Sequence, residues 1–289
     1  MKLAIFSHCA IDSIKLEGSN YSQIGGAACY CGITARELKF DVDLFTKFGK
    51  DFPKQYLTDN KIRFENAESE RPTTKFAINI NGANRTLKLE NECESITYDG
   101  TNADGCLVSP IFHEITNDVF STIKKDSHFT MVDPQGFLRR TDSENNVVLQ
   151  NTDLDLSGLD AIKVNPEEAE CIVSGTNDEM MLALQKKGAK HVLFTNKTDV
   201  SLLVKDKVYS LTLPNKNIYD TTGIGDIFCA TFCCTMLKEK DFLWALCFAG
   251  GSVQAALDSK KIGLLKIPKR GQIETNASYF YNLVKYRQV

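Results

Sequence analysis

No strong excess of either charge marks this chain: 34 Lys and Arg stand against 37 Asp and Glu, a net charge of −3 over 289 residues. A nearly balanced, slightly acidic chain lacks the electrostatic footprint of a general nucleic-acid binder. A local basic site for one phosphorylated ligand stays open. No apolar run approaches the ~18 residues that a membrane span needs; the longest, Ile227 to Leu237, is interrupted by threonines. The first apolar stretch, Leu3 to Phe6, breaks at Ser7-His8 and is too short for a signal-peptide core. Internal repeats and low-complexity tracts are missing as well. The ten cysteines contain no C-x-x-C pair, and no His stands at zinc-ligand spacing from two of them. That removes the sequence basis for a zinc centre or a dithiol redox protein. Cys29, Cys31, Cys229, Cys233 and Cys234 sit among apolar neighbours and read as reduced core thiols. The expectation is a soluble, cytoplasmic protein with neither nucleic-acid nor membrane partners.

What is present is globular material, with 43% hydrophobic and 25% charged residues, enough for a sizeable core. Short apolar runs alternate with amphipathic stretches. Leu3–Phe6, Asp41–Phe45, Cys106–Val108, Phe129–Val132, Ala161–Val164 and His191–Thr195 read as strands, and Ile62–Glu65 as a short extended piece. Gly26–Leu38, Lys54–Asn60, Asn117–Ile123, Pro166–Val173 and Asp178–Lys187 read as helices. This alternation is that of βαβ units around a largely parallel sheet, whose strands are buried on both faces. Two stretches depart from it. Thr73–Asn79 and Arg85–Leu89 flank Asn81-Gly82, a strong hairpin signal, and are expected to leave the sheet as a small β flap with Ser13–Glu17 as a further strand. Val200–Val204 and Lys207–Leu211 make a second hairpin around Lys205-Asp206. Thr275–Lys285 reads as a last helix with a fraying end.

The sharpest chemical feature is Asp220-Thr221-Thr222-Gly223-Ile224-Gly225-Asp226, followed by the helical run Ile227–Leu237. Two glycines one residue apart permit a tight turn whose amides converge at a helix N-terminus, a seat for an anion. A carboxylate at Asp226 repels phosphate. It makes sense there either as a helix N-cap or as a base that deprotonates a hydroxyl attacking a phosphoryl group. Other nucleotide motifs fail. A dinucleotide fingerprint needs glycine where Phe228 stands, and a Walker A loop needs Ser or Thr where Asp51 follows Gly49-Lys50.

Asp220–Asp226 resembles the Asp-Thr-Thr-Gly-Ala-Gly-Asp signature of ribokinase-like, or phosphofructokinase-B, carbohydrate kinases, with Ile224 in place of Ala. The resemblance extends over nearly the whole chain. Gly25-Gly26 resembles the family's first signature, Asp12 matches an Asp that contacts substrate hydroxyls, and Asn165-Pro166-Glu167-Glu168 matches its Asn-x-x-Glu motif. It implies an α/β fold of three layers, α/β/α, with a mostly parallel sheet. The chain would be a single domain over 1–289, with a small β lid formed by about 12–20 and 72–95. Asp226 is then the catalytic base, and Gly223, Ile224, Gly225 and Asp226 the anion hole. Asn165, Thr195, Gly223 and Gly225 bind nucleotide, and Asn165 and Glu168 orient hydrated Mg2+. Asn165 and Glu168 also read as a helix start with a capping box around Pro166. The family's Thr-x-Gly-x-x-Gly loop is only half kept at Thr195, since Lys197 and Val200 replace both glycines.

Val132-Asp133-Pro134-Gln135-Gly136-Phe137-Leu138-Arg139 resembles a segment of archaeal and plant myo-inositol kinases. Gln135 offers donor and acceptor and Arg139 a donor fork, which suits a polyhydroxylated ring. Equally, Arg139 can pair with an acid and Gln135 can cap a helix. Lys88 in the lid is a candidate to close over the substrate, or a plain exposed strand lysine; His8 and His113 read as structural. The expected activity is an ATP- and Mg2+-dependent kinase acting on a small polyol or sugar, with myo-inositol leading, as a monomer or a homodimer through the lid. Alternatives are nucleoside, fructose or keto-deoxy sugar acid kinases, or a non-catalytic binding protein on the same fold.

Overall fold

A computed structural model describes residues 1–16, 19–81, 84–214 and 220–289. The chain begins with β1 (Lys2–Phe6), β2 (Ala10–Leu16) and β3 (Ser19–Gly25), then α1 (Ala27–Glu37), β4 (Asp41–Phe45) and the short α2 (Gln55–Asp59). There follow β5 (Thr74–Asn81), β6 (Asn84–Asn91), β7 (Gly105–Val108), α3 (Asn117–Asp126), β8 (Thr130–Val132) and the single turn α4 (Gln135–Leu138). The middle of the chain holds β9 (Arg139–Thr141), β10 (Val147–Leu149), β11 (Ala161–Val164), α5 (Pro166–Glu170), α6 (Asn177–Lys186) and β12 (His191–Asn196). The last part holds β13 (Asp199–Val204), β14 (Lys207–Thr212), α7 (Ile224–Glu239), α8 (Phe242–Asp258), α9 (Arg270–Tyr281) and β15 (Lys285–Gln288).

Nine strands form one sheet in the order β15-β14-β13-β12-β11-β8-β7-β1-β4. From β4 to β12 every neighbour is parallel, and β13, β14 and β15 continue it antiparallel. Side chains of a strand alternate between faces, and β1 shows the consequence. Leu3 and Ile5 join a core with Ala28 of α1, Phe228 and Phe232 of α7, Leu246 of α8 and Phe280 of α9. Ala4 and Phe6 join the other core, with Phe120 and Ile123 of α3 and Met180 and Leu184 of α6. Helices thus cover both faces, giving three layers.

A separate four-stranded sheet, β3-β2-β5-β6, forms the flap expected from the Asn-Gly hairpin. The turn residues 82–83 and Glu17 lie outside the described residues. β3 was not anticipated, because Ser19–Gly25 has almost no apolar alternation; pairing with β2 in register Ala10 to Gly25 makes it a strand. The mostly apolar α8 was also missed. Its sides are nearly all buried, so it has no polar face to betray a period, and it starts on Asp241, whose carboxylate accepts from Leu243 N at 2.9 Å and Trp244 N at 3.0 Å. Two expectations are corrected. The helix after Pro166 ends at Glu170, not Val173. The chain end does not fray: helix α9 stops at Tyr281, and Lys285–Gln288 adds to the open edge of β14. An exposed, charged strand of this kind is selected by the free edge it pairs with, which local sequence does not reveal.

All ten cysteines are free, and all but Cys171 are buried. Among the described residues no helix is long and apolar enough to cross a membrane.

Candidate active site

The carboxyl ends of the parallel strands and the flap enclose a cleft of about 260 Å³. Ligands gather at such ends in open α/β sheets. Asp133 follows β8 directly, Lys163 is the third residue of β11, and Asn165 follows its last residue. The N-terminus of α7 supplies Gly223, Gly225 and Asp226, and the flap supplies Asp12, Phe76, Ile78 and Leu87. Gln135, Arg139, Gly26 and Glu168 complete the meeting of expected residues.

The turn into α7 depends on Gly223, not on both glycines. Gly223 has φ +77°, and a Cβ there would lie 2.4 Å from the Tyr30 ring. Gly225 has ordinary backbone geometry, and its nearest neighbour would be Lys163 Nζ at 3.4 Å. It leaves space rather than relieving strain. The expected share of Ile224 in the anion hole is corrected as well: its amide donates to Thr221 O at 3.2 Å, closing the turn. The first helical bond runs from Ile227 N to Gly223 O at 3.0 Å. The amides of Gly223, Gly225 and Asp226 have no bond among the described residues and remain for an anion.

Charges are concentrated here. Lys163 is nearly fully buried and its ammonium lies 3.1 Å from Asp133 Oδ2 and 3.8 Å from Glu168 Oε2. Burial disfavours its charge, yet Asp133 and Glu168 outweigh that and hold its pKa above the ordinary lysine value. The Asp226 carboxyl is desolvated, which pushes its pKa up to about 7; Asp133 and Asp12 add to the rise, and Lys163 and Arg139 oppose it. A carboxyl so poised exchanges protons near neutrality.

At β11 the local helix start and the chemistry coincide. Asn165 Oδ1 accepts from Glu168 N at 2.8 Å while Glu168 Oε2 accepts from Asn165 N at 2.9 Å, a complete capping box with Pro166 behind it. Those bonds leave Glu168 Oε1 over, and burial raises the Glu168 pKa. This donor set fits a magnesium ion that keeps its waters and takes ligands from phosphates. It does not fit a closed protein cage, and among the described residues no group of three His, Cys, Asp or Glu is arranged to hold an ion.

Lys88, Thr195, Gly25 and His8 fall outside the cleft lining. Lys88 is displaced: it is exposed and pairs with Ala77, whereas its neighbour Leu87 faces the cleft with Phe76 and Ile78, so strand alternation turns Lys88 to the other face. Thr195 is the last residue but one of β12, and its hydroxyl donates to Val164 O at 3.4 Å. Gly25 lies beside Asp12, and a Cβ on it would stand 2.1 Å from Asp12 Oδ2. Gly26 has φ +82°, and a Cβ on it would stand 2.5 Å from His8 O. His8 is structural, its ring bonded to Thr74 Oγ1 at 2.9 Å and Glu94 O at 2.7 Å. Arg139 donates to Ile111 O at 2.9 Å. Sequence reasoning passed over Lys163, Asp133 and Tyr30. The signal for Lys163 was available: a lysine inside the apolar strand Ala161–Val164 needs a buried partner.

Comparison with curated proteins gives no match. Among solved structures the chain is similar to a pyrophosphate-dependent kinase in the ribokinase family complexed with a pyrophosphate analog and myo-inositol, at 21% identity and TM-score 0.81, covering 94% of this chain and 99% of that one. It is also similar to Arabidopsis thaliana ribokinase complexed with ribose and ATP, at 16% identity and TM-score 0.74, covering 96% and 98%. A third is a Methanocaldococcus jannaschii nucleoside kinase, at 15% identity and TM-score 0.72, covering 96% and 99%. At these identities the likeness is one of fold, and the fold is ribokinase-like. Family membership rests on sequence: the pattern of the pfkB family carbohydrate kinases matches residues 11–263, from the first flap strand to beyond α8. The chain therefore belongs to the pfkB family of carbohydrate kinases.

Proposed function

We propose that the chain, acting as one kinase domain over residues 1–289 with the four-stranded sheet as its lid, transfers a phosphoryl group from ATP, with Mg2+, to a hydroxyl of a small polyol or sugar, myo-inositol being the leading acceptor. The observation that carries this reading is the meeting, in one cleft, of the Asp226 carboxyl with free helix-terminal amides and the polar groups of Asp12, Gln135 and Arg139.

In this reading Asp226 accepts the acceptor hydroxyl's proton as the new O–P bond forms and the donor's bridging O–P bond breaks. The Gly223, Gly225 and Asp226 amides and the Lys163 ammonium stabilise charge on the transferring group. Asn165 and Glu168 would hold Mg2+ through water, and the ion would supply positive charge against the donor phosphates. Asp12, Gln135 and Arg139 orient the acceptor, and the apolar lid residues Phe76, Ile78 and Leu87 keep water out.

Pyrophosphate is a second donor reading. Lys197, at φ +53°, and buried Val200 stand where the family's nucleotide loop has glycines, and one similar solved structure is of a pyrophosphate-dependent kinase. A screen of ATP and pyrophosphate against myo-inositol, ribose, fructose, nucleosides and keto-deoxy sugar acids decides both donor and acceptor. Acceptor binding without turnover under any donor would mark a binding protein instead.

Two further outcomes are expected. kcat/KM should fall about tenfold per pH unit below about 7 and level off above it, because Asp226 must be unprotonated to act and its pKa lies near 7. A flat profile from about pH 5 to about pH 8 contradicts its role as base. Gln135→Ala should weaken acceptor binding by about 0.5–1.5 kcal/mol, and Arg139→Ala by at least as much, with donor binding hardly changed. Separate titrations of myo-inositol and donor into each variant check this, and unchanged acceptor affinity removes both residues from the site.

A further inference from the structure

Lys266 closes the single 3-10 turn Gly263–Lys266 and is 1% exposed. Its ammonium meets three oxygens of the loop that leads into α7: Asp220 Oδ2 at 2.5 Å, Thr222 O at 2.9 Å and Asp220 O at 3.0 Å. The same carboxylate accepts from Thr222 N at 2.8 Å and from Gly263 N at 3.1 Å. Burial works against the Asp220 charge, but Lys266 and the two amides more than offset it and hold the carboxyl below its ordinary pKa. Packing alone does not call for a cation here, since Tyr30, Ile227 and Ala256 form an apolar cluster with Leu264 and Ile267 alongside. Taking an ammonium out of water costs several kcal/mol unless its partners are well placed.

The placement has a geometric consequence. A trans peptide unit is planar, so its C=O and N–H point in opposite directions. The Thr222 carbonyl is turned to the ammonium, and the N–H of Gly223 therefore points away from it, on the side where Gly223 lines the cleft. The Asp220 carbonyl imposes the same on the N–H of Thr221, which also lines the cleft.

We propose that Lys266 is a positioning residue for phosphoryl transfer: a tethered internal cation behind the loop, which turns the Asp220 and Thr222 carbonyls back and so aims the Thr221 and Gly223 amides at the donor phosphates. The proposal rests on the kinase reading of this cleft. Because the cation is part of the chain, the loop keeps its shape whatever dissolved monovalent cation is present.

The test uses the full-length protein with the donor and acceptor that the screen identifies. Wild-type turnover should be the same in sodium, potassium, ammonium and tetramethylammonium salts at equal ionic strength. Lys266→Met keeps length and removes charge; it should lose roughly tenfold or more in kcat/KM for the donor, as expected for hydrogen bonds to a charged group. Its KM for the acceptor should hardly move. Lys266→Gly opens a space, and ammonium or potassium should restore part of its turnover where tetramethylammonium, too large for the space, does not. A purely structural role would lower the melting temperature without that size-selective rescue. Undiminished donor kcat/KM in folded Lys266→Met, or no rescue of folded Lys266→Gly, overturns the proposal and leaves the kinase reading intact. If the variants do not fold, the wild-type salt series decides: a requirement for potassium or ammonium overturns it. Wild-type protein that transfers phosphate from no donor overturns the kinase reading, and the proposal with it.

Discussion

Asp226→Asn should lower turnover by at least ~10²-fold with the fold intact, the usual size of a general-base effect. Asparagine keeps the size and the hydrogen-bonding capacity of the side chain but cannot take a proton. The stability of the folded state should hardly suffer, because Asp226 is the third residue of α7 and the cap position is held by Gly223. Removing the carboxylate also removes the like-charge repulsion that Asp133 and Asp12 exert on it, which favours folding slightly. Loss of turnover with an unchanged melting curve and unchanged donor affinity therefore separates base from cap. The acid limb of the pH profile should vanish in the residual activity. Near-normal turnover in the folded variant would leave Asp226 as a helix-start residue and send the search for the base elsewhere in the cleft.

Gly225→Val should be nearly as damaging to turnover, by ~10² or more, the range seen when a single donor of an anion hole is lost. The reason is occupancy. Gly225 has no unusual φ, and the space beside it ends at the Lys163 ammonium, so valine's methyl groups fill the gap between the helix amides and that cation. Donor affinity and turnover should fall together while the melting temperature stays close to wild type. Gly223→Ala provides the contrast. Its Cβ meets the Tyr30 ring at 2.4 Å in a left-handed backbone, so stability and activity should fall together. Parallel melting curves and single-turnover assays on the two variants check the pair. A Gly225→Val protein that binds and uses donor normally would place the phosphate away from this turn.

Much of the molecule was legible before folding. Periodicity suffices for the parallel strands because burial on both faces writes itself as continuous apolar runs, as in Val192–Phe194. The turn into α7 was legible because two glycines and two carboxylates within seven residues have few structural uses. Local rules also read the capping box at Asn165, since its two hydrogen bonds join residues three apart in the chain. Elements whose pairing partners are distant were not legible. Strands β3 and β15 are polar, and only the edges they join make them strands.

The chain order of residues determined the fold class, the glycine turn into α7 and the candidate base: the first is written in the strand–helix alternation along the chain, the other two within seven neighbouring residues. Tertiary structure alone decided the electrostatics. Lys163 and Asp133 are 30 positions apart, and Lys266 and Asp220 are 46 apart, yet both pairs are buried ion pairs. Strand alternation sent Lys88 out of the cleft and Leu87 into it. The raised pKa of Asp226 likewise comes from desolvation by, and charges on, elements that meet only in the folded chain. Charge interactions depend on distance in space and on the exclusion of water, and neither is a property of sequence order.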